Sequence, residues 1–206
     1  MGREYEKIGI YGGTFDPPHL GHVIAVQEVK RELKLDRVLV IPASVPPHKE
    51  LSDGSATAAQ RLEMARLAFS EVKFAEVSGI EIARRGASYT ADTLWELHDL
   101  YPDALLTLIM GADMFESVHM WKDAEVIFSL AGLCALSRKL EQAEALHRQA
   151  DFLAERYGAS CQVLKNPVID ISSSELRELI RGGAESKYLQ PQVGEYIVKN
   201  GLYSRL

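Results

Sequence analysis

Short apolar runs alternate along this chain with segments that have the spacing of amphipathic helices, and this alternation limits the fold more than any other feature. Clear examples of the runs are Lys7–Tyr11 (KIGIY), Arg37–Ile41 (RVLVI) and Leu105–Met110 (LLTLIM). Nearly continuous apolar runs are typical of strands that are covered on both faces. Strand–helix alternation predicts right-handed βαβ units, and hence an α/β fold with a doubly wound, Rossmann-like parallel sheet of five to six strands and helices on both faces.

The same patterns predict the bounds of the remaining elements. Further strands are expected at Phe74–Ile82, Leu133–Leu136 and Gln162–Leu164. Helices are expected at roughly 20–34, 57–70, 90–100, 112–128 and 139–157. Two more helices are expected in ISSSELRELI and PQVGEYIVKNG, with Pro191 suited to a first turn and Gly201 to a C-terminal cap. We expect a single domain over residues 1–206, with a helical segment from about 166 to 206.

Composition excludes several classes of protein. The net charge of −6 over 206 residues argues against a surface that binds nucleic acid regardless of sequence. No apolar run has the length of a signal peptide or a membrane span. Cys134 and Cys161 lie in apolar runs without metal-ligand spacing, so we expect reduced thiols in the core. We therefore predict a cytoplasmic protein with no nucleic-acid or membrane partner.

The segment GIYGGTFDPPHLGH, from Gly9 to His22, occupies the first predicted strand-to-helix turn. In doubly wound sheets, ligands bind outside the carboxyl ends of the strands. We expect Gly12 and Gly13 to allow a sharp turn that presents backbone N–H groups. His19 and His22, three residues apart in the first helical turn, share a face and would form an anion site with the helix N-terminus. A tight turn with capping histidines is the alternative that we weigh against it.

A second cluster, DISSSELR, begins another predicted helix. Ser172 and Glu175 have the spacing of a capping box, which is a sufficient structural reason for both. Arg177, which we expect in the first turn of this helix, would oppose the helix dipole unless an anion is present. With the hydroxyls of Ser173 and Ser174 it predicts a second phosphate-binding helix start, and a solvated arginine is the alternative.

Residues at other predicted strand ends could complete a site. Lys49, beside His48, lies on a long loop from Pro42 to about Ala56 that is either functional or merely a surface loop. Asp113, after Gly111, is either a first-turn acid or an acceptor for ribose hydroxyls. The list of candidates closes with Thr90, a predicted N-cap, and Trp121, which is either a core residue or exposed enough to stack on a ring.

Together, GGTFDPPHLGH and ISSSELR resemble the H-x-G-H and I-S-S-[ST]-x-x-R motifs of the nucleotidyltransferase superfamily. Within it, PPHK, SYTADTL, GADMF, MWKD and YIVKNGLY resemble the bacterial nicotinate-nucleotide adenylyltransferases. The resemblance spans Ile8 to Tyr203 and is weakest at about 139–165. It implies adenylyl transfer from ATP to nicotinic acid mononucleotide, which yields nicotinic acid adenine dinucleotide and pyrophosphate.

The resemblance also implies roles for individual residues. The implied catalytic residues are His19, His22, Lys49 and Arg177. The implied ATP-binding residues are Gly12, Thr14, Phe15, Gly111, Asp113, Ser172, Ser173 and Ser174. The implied nicotinate-nucleotide-binding residues are Gly13, Asp16, Thr90 and Trp121. Mg²⁺ would be held mainly by the ATP phosphates, without a metal site in the protein.

Other functions stay open at this point. Nicotinamide mononucleotide or phosphopantetheine could be the acceptor, a cytidylyltransferase could share the same histidine pair, and a binding module could hold a nucleotide without turning it over. The chemistry favours an enzyme, because a 5′-phosphate nucleophile is already ionised and needs only positioning and fixed positive charge. The sequence leaves open whether the chain forms a homo-oligomer.

Overall fold

The computed structural model describes residues 5–46, 54–84, 86–137, 140–165, 171–183 and 187–204. Within them, one six-stranded parallel sheet is built from β1 (Lys7–Gly13), β2 (Arg37–Pro42), β3 (Ala75–Val77), β4 (Leu105–Gly111), β5 (Ala131–Ser137) and β6 (Cys161–Lys165). The strand order is β3-β2-β1-β4-β5-β6, which is the doubly wound order and confirms the predicted fold class. Order reverses between β1 and β4, where Tyr11 pairs in parallel with Ile109.

Helices connect the strands. They are α1 (Leu20–Leu33), α2 (Ala58–Phe69), α3 (Ile80–Arg84), α4 (Thr90–Leu100), α5 (Ala112–Ser117), α6 (Ala124–Leu130), α7 (Leu140–Tyr157), α8 (Ser173–Arg181) and α9 (Pro191–Lys199). Pro191 occupies the first turn of α9, and Gly201 follows its C-cap residue with a φ of +59°, both as predicted. No helix in the described ranges is long and apolar enough to cross a membrane.

Two predicted elements are wrong. The strand expected over 74–82 shrinks to β3, and α3 follows it, where the N–H of Ala83 donates to the carbonyl of Gly79. The alternating apolar pattern there misleads because Glu81, at 8% exposure, is buried within reach of the Arg61 charge. The helix expected over 112–128 is divided into α5, a 3₁₀ turn at Val118–Met120 and α6, with left-handed Asp123 (φ +54°) before α6.

The chain divides into two compact units. Unit 1 comprises Met1–Gly12, Ala25–Leu39 and Tyr89–Pro167, and unit 2 comprises Gly13–Ile24, Val40–Ser88 and Val168–Leu206. Unit 2 contains both motif segments, although they come from opposite ends of the sequence.

Close packing in unit 1 requires Gly9 in β1, because a Cβ there would lie 2.7 Å from the Leu35 side chain and 2.9 Å from that of Ile109.

The two cysteines are free thiols in unit 1. Cys134 is buried, as predicted, but Cys161 is only half-buried. Burial raises the pKa of Cys134 to about 12 and that of Cys161 to about 11, so both thiols are protonated at neutral pH. Cys134 pairs with Gln162 across β5 and β6, which puts Cys161 on the other face of the sheet.

Candidate active site

The first turn of unit 2 is formed by Phe15 and not by the glycines before it. Gly12 and Gly13 continue β1 without a left-handed φ, whereas Phe15 has a φ of +52°. A Cβ on Gly13 would lie 3.0 Å from the Phe15 ring, and nothing lies within 4 Å of one on Gly12. The prediction that the two glycines make a sharp turn is therefore wrong: Gly13 is needed because the buried aromatic ring packs against it.

The two motif histidines lie against each other at the start of α1. Their ring centroids are 3.8 Å apart, so they share a face as predicted, although His19 precedes the helix and is not in its first turn. The backbone N–H of His19 donates to Nδ1 of His22 at 3.1 Å. Because Nδ1 accepts, the His22 proton is assigned to Nε2, which makes this imidazole a neutral donor. His22 is half-buried, whereas His19 is 3% exposed.

The second motif forms the predicted capping box at the start of α8. The Ser172 hydroxyl accepts from the Glu175 N–H at 3.2 Å, and the Glu175 carboxylate accepts from the Ser172 N–H at 2.7 Å. Ser173 donates to the Pro17 carbonyl at 2.9 Å, which ties α8 to the first turn. Ser174 is the exposed member of the three serines.

Arg177 joins the two motifs. It is the fifth residue of α8, so its predicted place in the first helical turn is wrong. Its Nη1 donates to the Asp16 carbonyl at 2.6 Å, and its Nη2 donates to the Ser174 hydroxyl at 3.2 Å. Arg177 is only 8% exposed, so its side chain is largely buried in unit 2.

Asp16 lies inside unit 2, at 2% exposure. Its Oδ1 accepts from the Tyr203 hydroxyl at 2.6 Å and from the Ala56 N–H at 3.1 Å, and its Oδ2 lies 3.6 Å from Nη1 of Arg177. The carboxylate is thus used within the protein. Phe15 is equally buried, so neither side chain is displayed on the surface.

Arg61, which sequence reasoning missed, organises the backbone around the first turn. Its guanidinium donates to the carbonyls of Thr14, Ala43, Ser44 and Ala56 at 2.6–3.3 Å, and the residue is fully buried. Burial lowers the pKa of Arg61, and the nearby Asp16 carboxylate opposes that shift. Its signal in the sequence is an arginine on the apolar stripe of α2, which otherwise carries Met64, Ala65, Ala68 and Phe69.

Lys49 and His48 lie outside the described residues, as does the middle of the predicted 42–56 loop, residues 47–53. The described start of that loop is well anchored in unit 2. The N–H of Ala43 donates to the Gly13 carbonyl at 2.9 Å, and the N–H of Ser44 donates to the Ser88 hydroxyl at 2.8 Å. The carboxyl end of β2 is therefore held beside the first turn.

Gly111 and Asp113 lie at the carboxyl end of β4, in unit 1. Because Tyr11 pairs with Ile109, β1 and β4 end side by side, with Gly12 and Gly111 at the same edge where strand order reverses. Gly111 caps α5, and a Cβ on it would meet no atom within 4 Å. Asp113 is exposed in the first turn of α5, where the helix dipole favours an acid.

Thr90 and Trp121 belong to neighbouring segments of unit 1. Thr90 is the first residue of α4 and Tyr89 is its N-cap, so the predicted capping role of Thr90 is wrong. Lys122 places its Nζ 4.3 Å from the centre of the Tyr89 ring, which brings the two segments together. Trp121 ends the 3₁₀ turn and is half-buried, so part of its indole is accessible.

The described ranges contain no group of three or more His, Cys, Asp or Glu side chains that could hold a metal ion. The nitrogen donors of His19, His22 and Arg177 instead suit an anionic ligand, because hydrogen bonds from such groups to phosphate oxygens are strong.

Comparison with known proteins places this geometry in context. A family model described as cytidylyltransferase-like matches residues 10–179, which include both motifs. A protein of Desulfitobacterium hafniense (strain Y51) named "probable nicotinate-nucleotide adenylyltransferase" is 39% identical over 204 residues, covering 96% of each chain. A protein of the same name from Carboxydothermus hydrogenoformans is 40% identical over 198 residues, covering 96% of this chain and 98% of its own.

Solved structures support the fold. The nicotinic acid mononucleotide adenylyltransferase of Plasmodium falciparum, complexed with NaAD, superposes with a TM-score of 0.76. The match covers 97% of this chain and 98% of that one at 19% sequence identity, so it speaks for the fold alone.

Proposed function

Because the chain belongs to the cytidylyltransferase-like family, and to its nicotinate-nucleotide adenylyltransferase branch, we propose that it transfers the adenylyl group of ATP to nicotinic acid mononucleotide. The products are nicotinic acid adenine dinucleotide and pyrophosphate, a step of NAD biosynthesis. The observation that carries this function is the joining of the two motifs, in which Arg177 of α8 bonds to the carbonyl of Asp16, three residues before His19.

The reaction needs no general base. A 5′-phosphate oxygen of the mononucleotide attacks the α-phosphorus of ATP, forming one P–O bond as the bond to the bridging oxygen of the β-phosphate breaks. That oxygen leaves with pyrophosphate and carries its electron pair. The protein has to align two polyanions and stabilise the charge that builds up on the α-phosphate and the leaving group. A site made of fixed donors, without an acid–base dyad, matches that demand.

His19 and His22 are the residues to which we give this electrostatic role. Nε2–H of His22 is a preorganised donor, because Nδ1 is already bonded to the backbone. Ser174 and Arg177 would hold the triphosphate, and Lys49 would add a positive charge. Ser172 and Ser173 would form the start of α8 next to the phosphates. Mg²⁺ would enter with ATP, bound to its phosphates, and lower the charge that these donors must balance.

The remaining roles concern the nucleosides. Gly12, Thr14 and Phe15 would bind ATP. Gly111 and Asp113 would contact its adenosine, with Asp113 as an acceptor for ribose hydroxyls. Gly13, Asp16, Thr90 and Trp121 would surround the nicotinate nucleotide, with the indole stacking on the pyridine ring. For Phe15 and Asp16, burial of the side chain means that such a contact would be made by the backbone.

We also propose that residues 1–206 act as one nucleotidyltransferase domain in the cytoplasm. That compartment supplies ATP and keeps thiols reduced, in keeping with the free thiols of Cys134 and Cys161.

The test is pyrophosphate release from Mg-ATP with nicotinic acid mononucleotide, nicotinamide mononucleotide and 4′-phosphopantetheine in parallel. Fast release with the first acceptor alone is the expected result, and the His19→Ala/His22→Ala double variant serves as the negative control. Preference for the amide would keep the reaction but overturn the acceptor. Turnover with 4′-phosphopantetheine alone would overturn the branch, and tight ATP binding without turnover would indicate a binding module.

A further inference from the structure

We propose that Tyr203 is a positioning residue: its buried hydroxyl holds the Asp16 carboxylate out of hydrogen-bonding geometry with Arg177, so that the guanidinium keeps its present direction and its donors for the triphosphate. This inference rests on the proposed function, because it concerns how tightly the same site binds ATP.

The geometry of the Asp16 carboxylate carries the inference. Both of its hydrogen bonds fall on Oδ1, from the Tyr203 hydroxyl at 2.6 Å and from the Ala56 N–H at 3.1 Å. The other oxygen, Oδ2, stops 3.6 Å from Nη1 of Arg177, which is longer than a hydrogen bond. The carboxylate and the guanidinium therefore form an ion pair without a hydrogen bond between them.

The hydrogen bonds of Arg177 go to neutral groups. Its Nη1 donates to the Asp16 carbonyl at 2.6 Å, and its Nη2 donates to the Ser174 hydroxyl at 3.2 Å. The carbonyl and the hydroxyl fix the direction of the guanidinium. Because Asp16 and Arg177 already attract each other as an ion pair, a carboxylate that was free to turn would also hydrogen-bond to the guanidinium and draw it out of that direction.

Arg61 is another charged group near the Asp16 carboxylate. Arg61 faces the same carboxylate, but it is also compensated by four backbone carbonyls and by the charge of Glu81. Tyr203 is 3% exposed, and burial raises its pKa, so its hydroxyl stays protonated and can donate throughout the physiological range.

The C-terminal turn places the hydroxyl. The N–H of Leu202 donates to the Ile197 carbonyl at 3.0 Å, and both Gly201 and Tyr203 have a φ of +59°. This turn sends the Tyr203 ring back into unit 2, where its hydroxyl also lies 4.0 Å from the Met64 sulfur. The contact with Asp16 thus joins residues that are 187 positions apart.

The experiment compares wild type with Tyr203→Phe, which removes only the hydroxyl. Calorimetry gives the Kd for Mg-ATP, and steady-state kinetics give KM for ATP and for nicotinic acid mononucleotide. We expect ATP to bind about tenfold more weakly, the effect of one charge-assisted hydrogen bond, while KM for the mononucleotide stays unchanged. Val193→Ala, a buried change on α9, is the control for lost stability and should weaken neither substrate selectively.

A second comparison tests whether Tyr203 acts through Asp16. In an Asp16→Asn background the carboxylate is absent, so Tyr203→Phe should no longer weaken ATP binding. A full tenfold effect in that background would overturn the inference, and so would unchanged ATP affinity in Tyr203→Phe alone. Equal weakening of the binding of both substrates would mean that Tyr203 only stabilises the fold, and this would also overturn the inference. A wild-type protein that binds no Mg-ATP would instead overturn the proposed function.

Discussion

The candidate residues of unit 2 and those of unit 1 are held in different ways. In unit 2, Asp16 and Arg177 are 2% and 8% exposed, and their side chains bond to groups of the same unit, while His19 is 3% exposed. In unit 1, Asp113 is exposed, and Gly111 faces open space. His19 and Arg177, which are proposed to contact the phosphates, are therefore buried, whereas Asp113, which is proposed to bind the ribose, lies at the surface.

This difference has a physical reason. Donors that stabilise a charged transition state are most effective when they need no reorganisation, so they have to be held by other parts of the protein. Aromatic and ribose contacts gain from accessible area and tolerate some adjustment. Substitution of the buried Arg177 in unit 2 should consequently affect stability and catalysis together, whereas substitution of an accessible side chain should affect substrate affinity alone.

The largest effect is expected for the histidine pair. His22→Ala removes the preorganised Nε2 donor and should lower kcat by about 10²–10³-fold, as does loss of one such donor elsewhere. His19→Ala should do the same. Initial rates at saturating substrates measure this, with His147→Ala on the exposed face of α7 as the control. A loss below about tenfold in both variants would contradict the electrostatic role.

Arg177→Lys should have the next largest effect, and it tests the coupling directly. An ammonium lacks the planar fork, so it cannot replace both present hydrogen bonds and still bind phosphate. We expect kcat/KM for ATP to fall about 10- to 100-fold and stability to fall by about 1–3 kcal/mol. Urea unfolding beside kinetics measures both, with Arg181→Lys on the same helix as the control. Unchanged stability would mean that the bond to Asp16 contributes little.

A smaller, selective effect is expected in unit 1. Trp121→Ala should raise KM for the mononucleotide by up to about tenfold, the size of one aromatic contact, and leave KM for ATP unchanged. Trp95→Ala, at a half-exposed position on α4, is the matched control. Equal changes in both KM values would remove the distinction between the two regions.

The smallest effect separates Ser172, the N-cap of α8, from Ser174 in its first turn. Ser172→Ala removes the N-cap and should cost about 1 kcal/mol of stability, with little change in KM for ATP. Ser174→Ala, at an exposed position, should raise KM for ATP without that loss of stability. Thermal unfolding measures the stability of the two variants, and ATP titrations measure their affinity for ATP. A rise in KM for ATP in Ser172→Ala, with the stability loss in Ser174→Ala, would mean that Ser172 contributes to ATP binding.

Several features of the chain could be predicted from short stretches of sequence. The order of strands and helices follows from apolar periodicity, and the capping box at Ser172 and Glu175 follows from two side chains three residues apart. The closeness of His19 and His22 was also predicted from their spacing of three residues, although His19 precedes α1. These predictions succeed because the interacting groups lie within a turn of each other.

Local patterns also failed in identifiable places. Thr90 is not the N-cap of α4, because capping depends on the backbone conformation of Tyr89. The alternation around Glu81 suggested a strand, but the structure forms α3 and buries that carboxylate near Arg61. In each case the deciding interaction was one that neighbouring residues do not reveal.

By itself, the sequence determined an α/β chain, and it predicted two phosphate-binding motifs and a chemistry that needs cations but no base. Only the tertiary structure decided that Arg177 and Tyr203 both donate to Asp16, and that Arg61 donates to four backbone carbonyls around the first turn. The physical reason is that buried charges need compensation from whatever the fold brings near them. For Asp16 those partners lie 40, 161 and 187 residues away.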